Sequence, residues 1–346
     1  MRKVVFVTQV VDPADPNLGA TTAKIAALAR RVDEVVVICD HGRADALPAN
    51  CRLRTFGAPR RIRRAGSYLA ALASELRDRP AAVIAHMIPL YVVTAAPLVR
   101  PRRIPLLLWY SHWKAHLLLR TAVAACTSVV TVDERSFPLR SDKVHGIGHG
   151  IDLDEFPCQP PASARGGTLR VVSLGRYTPP KKLDELIEGV RLARERGADV
   201  RIDLYGTTGS PLLDGYKSEL ETLVARPGYG EFATVGGQIP RTDVPAAYAR
   251  ADVVASNFLS PDKIVLEACS SCRPVLASQE TFDRLLAGIE PSLAFQRGRP
   301  ETFADSLQAL AALTDEERYA IGKELRERVR RQHSVETWAD GILALT

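Results

Sequence analysis

VVSLGRYTPPKKLDELIEGV, residues Val171–Val190, decides the fold. An apolar strand over Leu169–Leu174 runs into Gly175–Arg176. Lys181 follows five residues later, and a helix then starts. Its stripe of Leu183, Leu186, Ile187, Val190 and Ala193 has helical period, and Gly197 suits the stop. A strand–loop–helix unit with two cations in the loop places them past the carboxyl end of a strand, where open α/β sheets bind ligands. The helix start adds free N–H groups and a positive dipole end. Arg176 and Lys181 therefore suit a pyrophosphate group, and could stabilise charge on a leaving phosphate without a metal. Taken alone, an Arg-x4-Lys pair is more often a pair of solvated surface charges.

Outward from this unit, strand-like and helix-like runs alternate. After it come Val200–Tyr205, a helix over Leu213–Ala225, Ala233–Val235, a helix over Val244–Arg250, Val253–Ala255, a helix from Ile264 to Cys269, and Val275–Ala277. Before it come Val4–Val10, a helix over Thr21–Arg31, Val35–Cys39, a helix over Gly66–Arg77, Ala82–Ala85, Leu106–Trp109 and Ser128–Val132. Near-continuous apolar strands between helices predict parallel sheets covered on both faces. Pro157–Gly167 (PCQPPASARGG) lacks apolar period and reads as a linker. The chain of 346 residues is long enough for two domains. The expected division is 1–160, 161–330 and a closing helix, 331–346. Two doubly wound, Rossmann-like α/β domains would face each other across a cleft.

Composition is that of a soluble globular chain, with 46% hydrophobic and 25% charged residues. No uncharged apolar run is long enough for a membrane span. The basic, then apolar N-terminus reads as a first buried strand rather than a signal peptide, so a cytoplasmic location is expected. Six scattered cysteines, at 39, 51, 126, 158, 269 and 272, predict reduced, packed thiols. Cys269-x-x-Cys272 lacks the second ligand pair that a zinc site needs. The histidines are not at ligand spacing, so no metal is expected. Charge is uneven: residues 1–160 carry 22 Lys and Arg against 14 Asp and Glu, whereas residues 161–346 carry 24 against 26. The basic half would meet an anionic partner.

In SPDKIVLEACSSCRPVLAS (Ser260–Ser278), Glu267 lies on a helix opening near Lys263. A carboxylate there could accept two ribose hydroxyls, and the N–H groups of Ile264 and Val265 could hold phosphate. The plainer alternative is a glutamate stabilising its own helix dipole. No Gly-x-Gly-x-x-Gly follows the first strand, which disfavours a dehydrogenase.

Five ordered motifs together resemble the retaining glycosyltransferases of the glycosyltransferase 4 type, which have the GT-B fold. They are HGIDLDEF (His149–Phe156), GRYTPPKKLDELIEGV, VGGQIPRTDVPAAYARADVVASN, IVLEACSSCRPVLAS and the closing QHSVETWADGIL. The resemblance covers nearly the whole chain. It implies that Arg176 and Lys181 bind the donor diphosphate, that Glu267 binds the ribose, and that Gln238–Ile239 read the base. Gly19, in the loop after the first strand, and Gly206 would sit against the donor. His112 resembles the family histidine near the reacting sugar; the alternative is a buried histidine or part of an aromatic cluster with Trp109, Tyr110 and Trp113. His86 is a second histidine at a strand end. The closing helix would cross back to the first domain.

The chain departs from the family at three places. Leu259 stands where the first glutamate of Glu-x7-Glu is usual, in a Ser-Pro-x-Lys turn in which Lys263 would contact the donor. Asp262 is a candidate substitute for that glutamate. Lys182 and Cys272 stand where the family has glycine. The resemblance implies a nucleotide-diphosphate-sugar donor, UDP-sugar favoured over GDP-sugar, no cofactor, and a glycan or glycolipid acceptor in cell-envelope synthesis. Arg60, Arg61, Arg63 and Arg64 head an amphipathic helix and would rest on an anionic membrane surface, or else form a solvated loop. Nucleic acid is not an expected partner, since no recognition motif accompanies the arginines. The alternative function is a non-catalytic nucleotide-sugar-binding or partner protein.

Overall fold

The computed structural model describes residues 2–15, 18–160, 167–278 and 280–346. Most of the expected linker, residues 161–166, lies outside the described residues. The chain divides into two compact units, one of Met1–Asp152 with Gln332–Thr346 and one of Leu153–Arg331. The division falls at Asp152–Leu153, ahead of the expected residue 160.

In the first unit a parallel sheet is built from β1 (Lys3–Val11), β2 (Glu34–Gly42), β3 (Cys51–Thr55), β4 (Ala82–His86), β5 (Leu106–Trp109), β6 (Ser128–Thr131) and β7 (Val144–Gly146). Its order is β3-β2-β1-β4-β5-β6-β7. The strand order reverses at β1, where the register pairs Val5 with Val36 on one side and with Val83 on the other. Alternate residues of each strand enter two cores, as a two-residue side-chain period demands. Val5, Val7, Val36, Ile38, Val83 and Leu108 face one core; Val4, Phe6, Val35, Val37, Ile84 and Trp109 face the other. The second core is closed by the helix Val335–Leu343, whose Trp338 is fully buried and meets Trp109 edge-on at 5.7 Å. Ser334 caps that helix by accepting from Thr337 N at 3.1 Å.

In the second unit β8 (Leu169–Leu174), β9 (Val200–Tyr205), β10 (Ala233–Val235), β11 (Val253–Ser256) and β12 (Val275–Ala277) form a parallel sheet ordered β10-β9-β8-β11-β12. The order reverses at β8, so β8 and β11 flank its switch point. The helix Leu183–Glu195 buries the predicted stripe of Leu183, Leu186, Ile187, Val190 and Ala193. It packs on the helix Pro300–Ala311, with Phe303 seated against Gly189.

The structure corrects the thiol reading. Cys158 and Cys272 form a disulfide, with Cα atoms 5.0 Å apart, while Cys39, Cys51, Cys126 and Cys269 are free. Burial pushes the Cys39 thiol up to about 12, as expected of an inert packed cysteine.

Candidate functional site

The carboxyl ends of β8, β9, β10 and β11 lie on one edge of the second sheet. After β8 the chain turns through Gly175, whose φ of +123° favours glycine. A Cβ there would collide with the Lys181 ammonium, and one on Gly206 would collide with the Gly175 carbonyl. These two glycines let the loops after β8 and β9 and the Lys181 side chain share one small volume. Tyr177 fixes them further. It is buried, and its hydroxyl lies 3.0 Å from Leu204 O and 2.9 Å from Gly236 O. Arg176, beside it, is exposed, and among the described residues its guanidinium has no ion pair.

Lys181 ends the short turn Pro179–Lys181 and is only 6% exposed. Its Nζ donates to Leu174 O at 2.8 Å and pairs with Asp262 Oδ2 at 2.8 Å. Ser256 Oγ donates to the same carboxylate oxygen at 3.2 Å. Asp262 also caps the helix Lys263–Ser270, where its side chain accepts from Ile264 N at the outer limit of 3.5 Å. Val265 N donates to Asp262 O at 3.1 Å. Both N–H groups expected to be open to phosphate face Asp262 in this structure: Ile264 N the N-cap carboxylate, Val265 N the backbone carbonyl that closes the first turn. Lys263 is half-buried at the helix start. Lys182 adopts φ +47°, and its ammonium lies 3.7 Å from Glu185.

Glu267, 2% exposed, sits midway along that helix. Arg241 Nη1 donates to its Oε1 at 2.6 Å, and Tyr248 lies 3.2 Å from its Oε2. The other arm of the same arginine donates to Glu155 Oε2 at 2.7 Å. Burial opposes the charge on Arg241, but the Glu267 and Glu155 carboxylates outweigh it and raise its pKa above the ordinary value. Burial, reinforced by the Glu267 charge, holds the Tyr248 phenol well above its usual range. Gln238 is exposed and Ile239 half-buried in the loop after β10, which is tied to Gly206 N through Gly237 O at 3.1 Å. The predicted Arg176, Lys181, Gly206, Gln238, Ile239, Lys263, Ile264, Val265 and Glu267 therefore come together at one sheet edge. Arg241, Tyr177 and Tyr248 join them unpredicted. Pairing of Arg241 with Glu267 across a strand and a helix start leaves no periodic signal in sequence.

Gly19 and His112 belong to the first unit, after β1 and β5. A Cβ on Gly19 would lie 2.5 Å from Pro13 O and 2.7 Å from Asp15 O, so the loop's own path requires this glycine. His112 is exposed rather than buried; its Nδ1 accepts from Lys114 N at 3.1 Å, and its ring stacks on Trp113 at 5.9 Å. His86 is a core residue, not an open strand-end group. Its Nδ1 lies 3.1 Å from Thr8 Oγ1, and burial with the Lys24 charge lowers its pKa to about 3. Arg60, Arg61, Arg63 and Arg64 are exposed at the start of the helix Arg61–Glu75, and Ile62 between them is 88% exposed. Arg64 lies 3.3 Å from Asp40. No described helix is long and apolar enough to cross a membrane.

Similarity to solved structures spans the chain. HepE of Anabaena in complex with UDP and glucose superposes with a TM-score of 0.74 at 17% identity, covering 99% of both chains. Sucrose-phosphate synthase of Thermosynechococcus elongatus gives 0.75 at 16% identity, covering 100% of this chain and 98% of that one. A glycosyltransferase from Rickettsia africae gives 0.76 at 12%, covering 99% and 97%. The fold is GT-B. Residues 168–312 match the family described as glycosyl transferases group 1. That span contains every second-unit site residue except Glu155. A GDP-mannose-dependent alpha-(1-6)-phosphatidylinositol monomannoside mannosyltransferase of Mycolicibacterium smegmatis is 33% identical over 113 residues. That stretch is 31% of this chain and 28% of the relative's length. A GT-B fold alone names no reaction, so function must be argued from the site.

Proposed function

We propose that this protein is a glycosyltransferase that moves a sugar from a nucleotide-diphosphate donor to an acceptor hydroxyl, with retention at the anomeric carbon. The observation that carries the reading is the cationic sheet edge. Arg176, Lys181 and Lys263 stand at the β8 and β11 ends beside the buried Glu267, inside the span that matches the group 1 transferases. In this reading Arg176, Lys181 and Lys263 hold the diphosphate, Glu267 binds the ribose, and Gln238–Ile239 contact the base. Gly19 lets the first-unit loop approach the donor, and His112 contacts the reacting sugar. As the anomeric C–O bond breaks, electrons pass to the leaving phosphate oxygen, which takes the acceptor proton on the same face. Fixed cations stabilise that charge in place of a metal ion.

UDP-sugars are the first donors to test and GDP-mannose the second. The neighbour HepE was crystallised with UDP, and the mycobacterial relative is named for GDP-mannose. The same name, a mannosyltransferase acting on a phosphatidylinositol monomannoside, supports a glycolipid acceptor in envelope synthesis. The exposed arginines support action at an anionic membrane face. Cations in the first turn of Arg61–Glu75 oppose the helix dipole, at about 0.3–1 kcal/mol each, a cost that an anionic lipid surface would offset.

Leu259, exposed where the family has a glutamate, favours a second reading as a non-catalytic nucleotide-sugar-binding protein. A thermal-shift panel of UDP-, GDP-, ADP- and TDP-sugars on wild type and Arg176→Ala tests the site, and donor hydrolysis or transfer separates the two readings. One nucleotide should stabilise wild type and not the variant. Absence of any shift at millimolar donor would count against both. Turnover abolished by EDTA would contradict the metal-free diphosphate assignment.

A further inference from the structure

The structure assigns Arg241 as the positioning residue that aims the Glu267 carboxylate at the donor ribose. This inference rests on the donor site proposed above, and it concerns a residue outside all the sequence expectations.

Arg241 opens the turn Arg241–Asp243, directly after Gln238, Ile239 and Pro240. Its side chain is 9% exposed. The guanidinium reaches two carboxylates with two different nitrogens, Glu267 at 2.6 Å and Glu155 at 2.7 Å, and lies 5.2 Å from the Phe156 ring. A planar fork of this kind fixes direction as well as charge, which a lysine ammonium does not. Glu155 is two residues beyond the Asp152–Leu153 division. The turn after β10, the donor helix and the first residues of the second unit therefore share one guanidinium.

Counting acceptor sites shows what this does. An ionised carboxylate offers about four lone-pair directions. Arg241 takes one on Oε1. The Tyr248 hydroxyl is 3.2 Å from Oε2 and 3.4 Å from Ile264 O; its single proton goes to the charged, nearer acceptor and takes one on Oε2. One direction remains on each oxygen, which is the number that two vicinal ribose hydroxyls require. Without Arg241 the buried carboxylate keeps, among the described residues, only Tyr248, and it loses its fixed plane. Both hydroxyl contacts are then misaimed.

The test is the affinity ratio between a ribonucleotide and its 2′-deoxy form, read by calorimetry with UDP, GDP, dUDP and dGDP. Wild type is expected to prefer the ribonucleotide by about tenfold or more, the value of one well-made hydrogen bond to a charged group. Arg241→Met is expected to bring the ratio to about one. Arg241→Lys keeps the charge without the fork and should cut the ratio at least threefold; it decides the matter if the methionine variant fails to fold. Glu155→Gln, which leaves Arg241 on Glu267, should keep the ratio. A purely structural arginine would lower all affinities together, so an unchanged ratio in folded Arg241→Lys overturns the proposal. Wild type that binds UDP or GDP without preferring ribose overturns the ribose role of Glu267. Wild type that binds neither overturns the donor site itself.

Discussion

Lys181 and Asp262 form a buried ion pair, 2.8 Å apart, that joins the loop after β8 to the loop after β11. Removing two charges from water costs several kcal/mol per ion, which only good geometry and further hydrogen bonds recover. Here Leu174 O and Ser256 Oγ supply them. Asp262 orients Lys181 and caps the helix Lys263–Ser270.

Lys181→Ala should leave Asp262 buried and uncompensated, destabilising the second unit by about 3–5 kcal/mol. Lys181→Met combined with Asp262→Asn should recover most of that loss. Neither protein should be stabilised by any nucleotide sugar. Urea unfolding followed by far-UV circular dichroism is the measurement. A lone alanine variant as stable as wild type would mean that the pair does not form in solution.

The arginines at the start of Arg61–Glu75 give a salt-dependent prediction. Arg60 and Arg61, with Arg63 and Ile62, are exposed together, so the protein should sediment with phosphatidylglycerol vesicles and not with phosphatidylcholine ones. Each basic residue near the surface contributes about 1 kcal/mol. Arg60→Glu with Arg61→Glu and Arg63→Glu should lower partitioning at least a hundredfold at low ionic strength. Equal binding to both vesicle types would remove the electrostatic explanation.

Much of this was legible from the sequence because both faces of each sheet are buried. Val4–Val7 and Val35–Cys39 are continuous apolar runs whose alternate residues feed two cores, and such runs identify interior strands. The strand Cys51–Thr55 escaped because it is a sheet edge, where Arg52 and Arg54 reach Glu75 at 2.8 Å and no apolar run is needed. Lys182 and Cys272 were legible only as departures. Both keep the positive φ, +47° and +57°, that favours glycine there. Arg241 and Glu155 were invisible because their contacts depend on tertiary packing, and so was the pairing of Cys158 with Cys272.

That disulfide closes a loop with a sequence separation of 114 and ties Cys158 to the end of the helix that carries Glu267. Constraint of the unfolded chain by so long a loop stabilises by about 2–4 kcal/mol. Titration of the denatured protein should give four thiols without reductant and six with it. Reductant, or Cys158→Ser with Cys272→Ser, should lower the melting temperature of the second unit. Six thiols without reductant in protein purified under air would show that the bond does not form.

The first unit should lose stability in mild acid. Burial with the Lys24 charge lowers His86 to about 3, and burial lowers His333 to about 4, against an ordinary value of 6.5. Between those limits the unfolded chain binds more protons than the folded one, so stability rises with pH. The contribution is complete above pH 6.5 and fades as pH falls toward 4 and 3. Between pH 7 and pH 5 each histidine should cost about 2 kcal/mol. Trp109, Trp113 and Trp338 all belong to the first unit, so tryptophan fluorescence during urea unfolding follows that unit alone. His86→Gln, which keeps a neutral partner for Thr8, should remove about half of the pH dependence. A slope identical to wild type would show that His86 does not stay neutral in the fold.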